Sequence, residues 1–234
     1  MKKSVMLVAV VLFLKTNAQQ IREVGLGLLE VNTDHDLLLF EHFKDQDPAV
    51  QIQCKPLKNG QVSFESDLEL EPYALYEGDE EGGYPKLQFV VTQESPLFFR
   101  VIVNAKTGAQ YYIKKNEKAA YYLTHQALTD SKSERKPFVA QWYVYETWCR
   151  YLKRVYVELD PSDIYDKPHG ESLVTSKAPR LLPFTVEKMQ GEWIKLKKMP
   201  LPAANFLHNQ NYEGWYQWKK NNRLRIQIIE NTLE

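Results

Sequence analysis

Long apolar runs are nearly missing from this chain, and cysteines, glycine-rich phosphate loops and an excess of either charge are equally scarce. The longest apolar run, Val5 to Leu14, ends at Lys15 and falls short of the roughly 20 residues that a bilayer-crossing helix needs. With 30 Lys and Arg against 30 Asp and Glu, the formal charge is zero, which argues against a nucleic-acid-binding surface. No G-x-S-x-G elbow, P-loop or dinucleotide fingerprint occurs, so no familiar nucleophile turn or phosphate cradle is offered. His35, His42, His125, His169 and His208 are scattered, with no two at i, i+4, and neither cysteine has a second Cys or a His at ligand spacing. No metal site and no cofactor are expected.

The one apolar run that is present has the anatomy of an export signal. Met1-Lys-Lys-Ser is a basic start, Val5 to Leu14 the apolar middle, and Thr16-Asn-Ala18 a cleavable stretch before Gln19. Removal of residues 1–18 leaves a mildly acidic mature chain with no integral membrane segment, expected in the periplasm or secreted. An oxidising compartment permits a disulfide, and Cys54 with Cys149 is the one available pair. Buried free thiols suit the same two positions equally.

The mature sequence reads as short strands. Aromatic residues make up 12%, with 14 Tyr, and flat rings suit a pleated, half-buried surface. Val50 to Cys54 alternates with period two, Leu87 to Val91 and Leu97 to Val103 form neighbouring apolar runs, and Val155 to Leu159 alternates again. Thr124 to Pro137 is polar and reads as a linker, while Gln141 to Lys153 reads as a short helix with Tyr145, Trp148 and Leu152 on one face. Glu77 to Gly83 is acidic and glycine-rich, but it lacks the regular spacing of a calcium loop and reads as a solvated turn. Tyr111, Lys114, Lys115 and Asn116 recur at constant spacing as Tyr216, Lys219, Lys220 and Asn221, which points to a repeated all-β unit.

Three stretches carry a resemblance: Ile164 to Gly170 (Ile-Tyr-Asp-Lys-Pro-His-Gly), Val186 to Leu196 with its Gly-x-Trp-x-Lys core, and Glu213-Gly-Trp215. In this order they resemble bacterial SH3-like (Src-homology-3-like) domains of exported proteins, over roughly residues 155–230. The long Lys197-to-Tyr212 connection departs from the hairpin common in that family. The resemblance implies an all-β fold of two tandem SH3-like small β-barrels. The expected organisation is a degenerate first copy over 19–124, a linker with a short helix over 125–154, and a second copy over 155–234. It implies a non-catalytic binding or scaffold protein whose partner is a cell-wall peptide or another protein. The alternative is a small cysteine hydrolase acting on cell-wall peptides, with Cys149 served by His125 or His169. The candidate ligand surface comprises Tyr165, His169, Trp215 and Trp218. Strand alternation sets Trp215 and Gln217 against Tyr216 and Trp218, so one of the two tryptophans belongs to the core. N-terminal sequencing of protein recovered from the envelope or medium should start at about Gln19; intact Met1 in a membrane fraction would refute cleavage.

Overall fold

A computed structural model of the chain describes residues 23–32, 34–58, 62–76, 85–134, 139–160, 163–173, 182–198 and 213–229. The export signal, the Glu77-to-Gly83 loop and residues 199–212 of the long connection lie outside the described residues. Strands β1 (Gly27–Val31), β2 (Leu37–Leu39), β3 (Val50–Pro56), β4 (Val62–Glu65), β5 (Ala74–Tyr76), β6 (Lys86–Glu94), β7 (Phe98–Asn104), β8 (Ala109–Lys114) and β9 (Ala119–Tyr122) lead to helix α1 (His125–Ser133). Strand β10 (Gln141–Thr147) runs directly into helix α2 (Trp148–Arg154). The chain continues through β11 (Tyr156–Leu159), β12 (Leu182–Gln190), β13 (Trp193–Lys198), β14 (Gly214–Gln217), β15 (Lys219–Lys220), β16 (Arg223–Leu224) and β17 (Gln227–Ile229). The fold is mostly β-sheet, as the many short alternating runs imply.

Three layers follow from the way these strands bury their side chains. The first sheet has the order β8-β7-β6-β1-β10-β9, with β5 also beside β6; β14-β13-β12-β11-β17 form the second, and β2-β3-β4 a third. Leu29, Val31, Phe89, Val91, Phe99 and Val101 of the first sheet pack towards Leu37, Leu39 and Ile52 of the third. Leu28, Val90 and Ile102 point the other way, into a core shared with α2 and the second sheet. β1, β6 and β7 are thus covered on both faces, which is why their sequences are nearly continuous apolar runs. β3, with one dry face, keeps its alternation.

Five strands of the first sheet repeat the whole of the second, while β5 and β9 have no counterpart there. β1 pairs antiparallel with both β6 and β10, as β11 does with both β12 and β17. The meander β6-β7-β8 matches β12-β13-β14, and a bulge interrupts each at the same register. It falls between Val91 and Gln93 opposite Val101 and Arg100, and between Val186 and Lys188 opposite Leu196 and Lys195. In each unit a residue beyond the first strand bridges across to the fourth: Phe40 to Tyr112, and Tyr165 to Trp215. Among the described residues no closed barrel forms. The register equates Tyr112 with Trp215, two residues away from the match that the Tyr111-to-Asn116 repeat implies. A slip of two residues keeps every side chain on its face, so the sequence pattern alone cannot detect it.

The segment read as a linker is built into the fold. Thr124 caps α1, its hydroxyl accepting the Ala127 N–H at 3.1 Å, and only Leu128 of this polar helix is buried. The α1 crossover lets β9 lie parallel to β10. Gln141 to Thr147, expected as helix, is β10 instead, a strand inside the first sheet. Only Trp148 to Arg154 is helical.

Helix α2 is the wedge between the units. Trp148, Tyr151 and Leu152 are buried in the shared core, and the Trp148 ring lies 5.6 Å from that of Trp218. The Trp148 indole N–H donates to the Val24 carbonyl at 2.5 Å, and the Val24 N–H donates to the Asn222 carbonyl at 3.2 Å, stitching both units to the helix. Trp148→Ala should cost about 3–5 kcal/mol, as large aromatic truncations in cores do. Thermal melts followed by far-ultraviolet and by tryptophan signals should fall together; a second, unshifted transition would mean that the units have separate cores.

Candidate functional site

The candidate surface is built on the outer face of β13 and β14, where the connection after β11 folds back. Tyr165 and Trp215 exchange two backbone hydrogen bonds of 2.8 Å each. Gly214 permits this approach, since a Cβ there would lie 2.7 Å from the Tyr165 carbonyl oxygen and 2.5 Å from Ile164 Cγ2. Residues 164–173 form a small hairpin, held by Leu173 N–H to Ile164 O at 2.8 Å and Asp166 N–H to Glu171 O at 3.0 Å. The Asp166 carboxylate accepts the Glu171 N–H at 2.8 Å, fixing the turn that carries His169. His169 sits at φ 60°, a left-handed conformation uncommon for a residue with a side chain.

That turn sets the His169 ring 5.0 Å from Trp193, while Tyr165 meets Trp193 edge-on at 5.5 Å. Trp193 points outward but is only 8% exposed under these two rings. Tyr165 and Trp215 are half-buried and His169 is exposed. Among the described residues, the Tyr165 hydroxyl, the His169 ring nitrogens and the Trp215 indole N–H have no protein partner. Two neighbouring cations are already paired, Lys195 with Glu187 at 3.1 Å and Arg225 with Asp163 at 2.5 Å, and Gln217 donates to Glu192 at 3.1 Å, while Lys167 and Glu171 stand exposed on the turn. The surface therefore offers flat apolar area with free polar tips, suited to stacking and neutral hydrogen bonding.

Of the expected site residues, Tyr165, His169 and Trp215 come together and Trp218 does not. Trp218 is 2% exposed, packs on Trp148, and donates its indole N–H to the Gly191 carbonyl at 3.0 Å. The expected alternation holds, with Tyr216 and Trp218 inward and Trp215 and Gln217 outward. Trp218 lies on the dry side because α2 covers it. Trp193, paired with Gln217 and so on the same outward face, is the hidden floor of the surface.

Of the two readings that the cysteines permit, a disulfide or free thiols, the structure has the second: Cys54 and Cys149 are both free. Cys54 sits on β3 in the third sheet, whereas Cys149 lies on α2 on the far side of the first. Burial, then the charges of Asp36 and Asp34, push the Cys54 thiol up to about 11, the opposite of an activated nucleophile. The Cys149 thiol hydrogen-bonds to neither candidate histidine, since His125 faces Glu30 and His169 faces Trp193. Among the described residues no group of His, Cys, Asp and Glu is arranged to hold a metal ion, and no helix is long and apolar enough to cross a membrane.

A second polar cluster lies inside the first unit. Glu30 of β1 receives a hydrogen bond from Gln88 at 2.7 Å and stands 3.4 Å from His125 of α1. Burial raises the Glu30 pKa, but the hydrogen bond and charge of His125, together with Lys86 and Gln88, outweigh it and hold it below the ordinary carboxylate value. No known protein-family model, curated protein sequence or solved structure matches the chain.

A depressed folded-state pKa stabilises the fold above the unfolded carboxylate value, and that stability is lost as pH falls through the folded value. Unfolding free energy should therefore decline below about pH 4.3, with Glu30 contributing part of the slope. Glu30→Gln should flatten this decline in denaturant titrations run across pH; an unchanged slope would remove Glu30 from the acid response.

Proposed function

We propose that the protein is an exported, non-catalytic binding or scaffold protein made of two SH3-like units. Its second unit recognises an extended peptide, from the cell wall or from a protein partner, over Tyr165, His169 and Trp215. The observation that carries this reading is the cluster of partly exposed rings whose polar atoms have no protein partner. A free N–H or O–H beside a flat ring is what a ligand's backbone and side chains use together.

The strand order supports the reading, since both larger sheets contain the same five-strand arrangement, β8-β7-β6-β1-β10 and β14-β13-β12-β11-β17, in which the last strand returns to pair with the first. The three stretches that carry the resemblance also converge. Ile164 to Gly170 supplies Tyr165 and His169, Val186 to Leu196 supplies Trp193, and Gly214-Trp215 supplies the opposite wall. Lys195 and Arg225 are each paired with a carboxylate within the protein, which leaves the rings as the main contact area of this surface.

The mature chain should be retained by purified cell-wall sacculi or bind soluble stem peptides. Trp215→Ala should weaken that binding by about 2 kcal/mol or more, as central aromatic anchors do, with little change in melting temperature. Trp218→Ala should instead destabilise the fold by about 3–5 kcal/mol. Retention unchanged by Trp215→Ala would reject this surface.

A further inference from the structure

At the equivalent register, the first unit presents a second ring cluster with a different charge. Phe40 and Tyr112 exchange backbone hydrogen bonds of 3.0 and 2.8 Å, as Tyr165 and Trp215 do. Phe98 opens β7 as Trp193 opens β13, and both are 8% exposed. Phe98 is covered by Phe43, stacked at 5.0 Å, and by Tyr112, edge-on at 5.1 Å. Phe43 comes from the connection beyond Phe40, as His169 comes from the one beyond Tyr165, and it is 38% exposed.

The difference lies in the third-strand cation, which stands opposite the fourth-strand ring in both units: Arg100 opposite Tyr112, Lys195 opposite Trp215. Lys195 is neutralised by Glu187. The Arg100 guanidinium has neither a carboxylate nor a hydrogen-bond partner among the described residues, and its Nε is buried and unsatisfied. It lies 5.6 Å from the Tyr112 ring. The nearby acids are partly engaged: the Asp45 carboxylate accepts the His42 N–H at 2.8 Å, and Glu94 pairs with Lys115 at 2.6 Å. Glu41 and Asp47 remain exposed on the same connection. Two further cations flank the rings, Lys44 at 5.7 Å from Phe43 and Lys114 at 4.0 Å from Phe40, with Lys114 also donating to the Asp45 carbonyl.

We propose that this surface is a second binding site, specific for an extended peptide that carries a carboxylate. Arg100 pairs with the carboxylate, and Phe43 and Tyr112 flank it with stacking area. A guanidinium beside a ring and without a carboxylate of its own keeps its charge for a ligand, and its planar fork suits two parallel hydrogen bonds to a carboxylate. The site goes beyond the second-unit surface and does not depend on it.

The test uses the isotope-labelled mature chain and two probes, acetylated Phe-Glu-Glu-Phe amide and its Phe-Gln-Gln-Phe counterpart, at moderate salt. The glutamate peptide should shift the Arg100 side-chain Nε–H resonance and the amides of Phe98 and Tyr112, and the glutamine peptide should bind at least tenfold more weakly. Arg100→Gln should remove the preference, whereas Trp215→Ala and Lys195→Gln should leave it intact. Equal binding of the two probes, or shifts spread over surface lysines without the Arg100 resonance, would overturn the proposal. The wild-type comparison decides the matter even if Arg100→Gln does not fold.

Discussion

Everything else in this molecule depends on where Trp148, Tyr151 and Leu152 go. A seven-residue helix has too little length to be stable alone, so α2 exists because its apolar face is dry. That face contacts β1 and β10 on one side and β11 and β12 on the other, and neither sheet covers it by itself. Its exposed side is tied down as well, by Arg154 meeting the buried carboxylate of Glu146 on β10 through bonds of 2.8 and 3.0 Å from its Nε. Both units are thereby fixed to one short element, and their ring clusters hold a set spacing and orientation. For a ligand long enough to reach both, the second contact would form without a new loss of translational freedom.

The central sheet carries a matching constraint. Being covered on both faces, it has little room for polar side chains, yet Glu30 and Gln88 sit opposite each other within it. The hydrogen bond that Gln88 donates to Glu30 and the neighbouring His125 offset the burial of the carboxylate, and α1 is the element that delivers the imidazole. The Gln88 Oε1 atom stays without a partner, so the cluster is a weak point in an otherwise dry layer.

Much of this was legible in the residues. Alternation sorted Trp215 from Trp218 by face, and the three resembling stretches proved to be spatial neighbours. What alternation could not supply was the identity of the dry face, because the cover, α2, comes from far upstream in the chain. β10 resembles a helix in sequence because Tyr145, Trp148 and Leu152 sit at helical spacing across a boundary where a strand passes straight into a helix. α1 was hidden by its polarity, although Thr124 stood at its cap. The Phe43, Phe98 and Arg100 cluster is not visible in the residues, because the Tyr111-to-Asn116 repeat runs two residues out of step with the fold and does not equate Tyr112 with Trp215.

Pairing of β1 with β10 has a consequence for the order of assembly. Gly27 meets Thr147 and Val31 meets Tyr143, so the middle strand of the first sheet lacks one neighbour until more than half the chain has emerged. A nascent segment ending anywhere before β10 exposes an open edge on β1 and the bare outer face of Leu28, Val90 and Ile102. Such a chain folds late and through distant contacts, which is slow. Under the proposed export, which threads the chain through a pore before it folds, that delay would be an advantage.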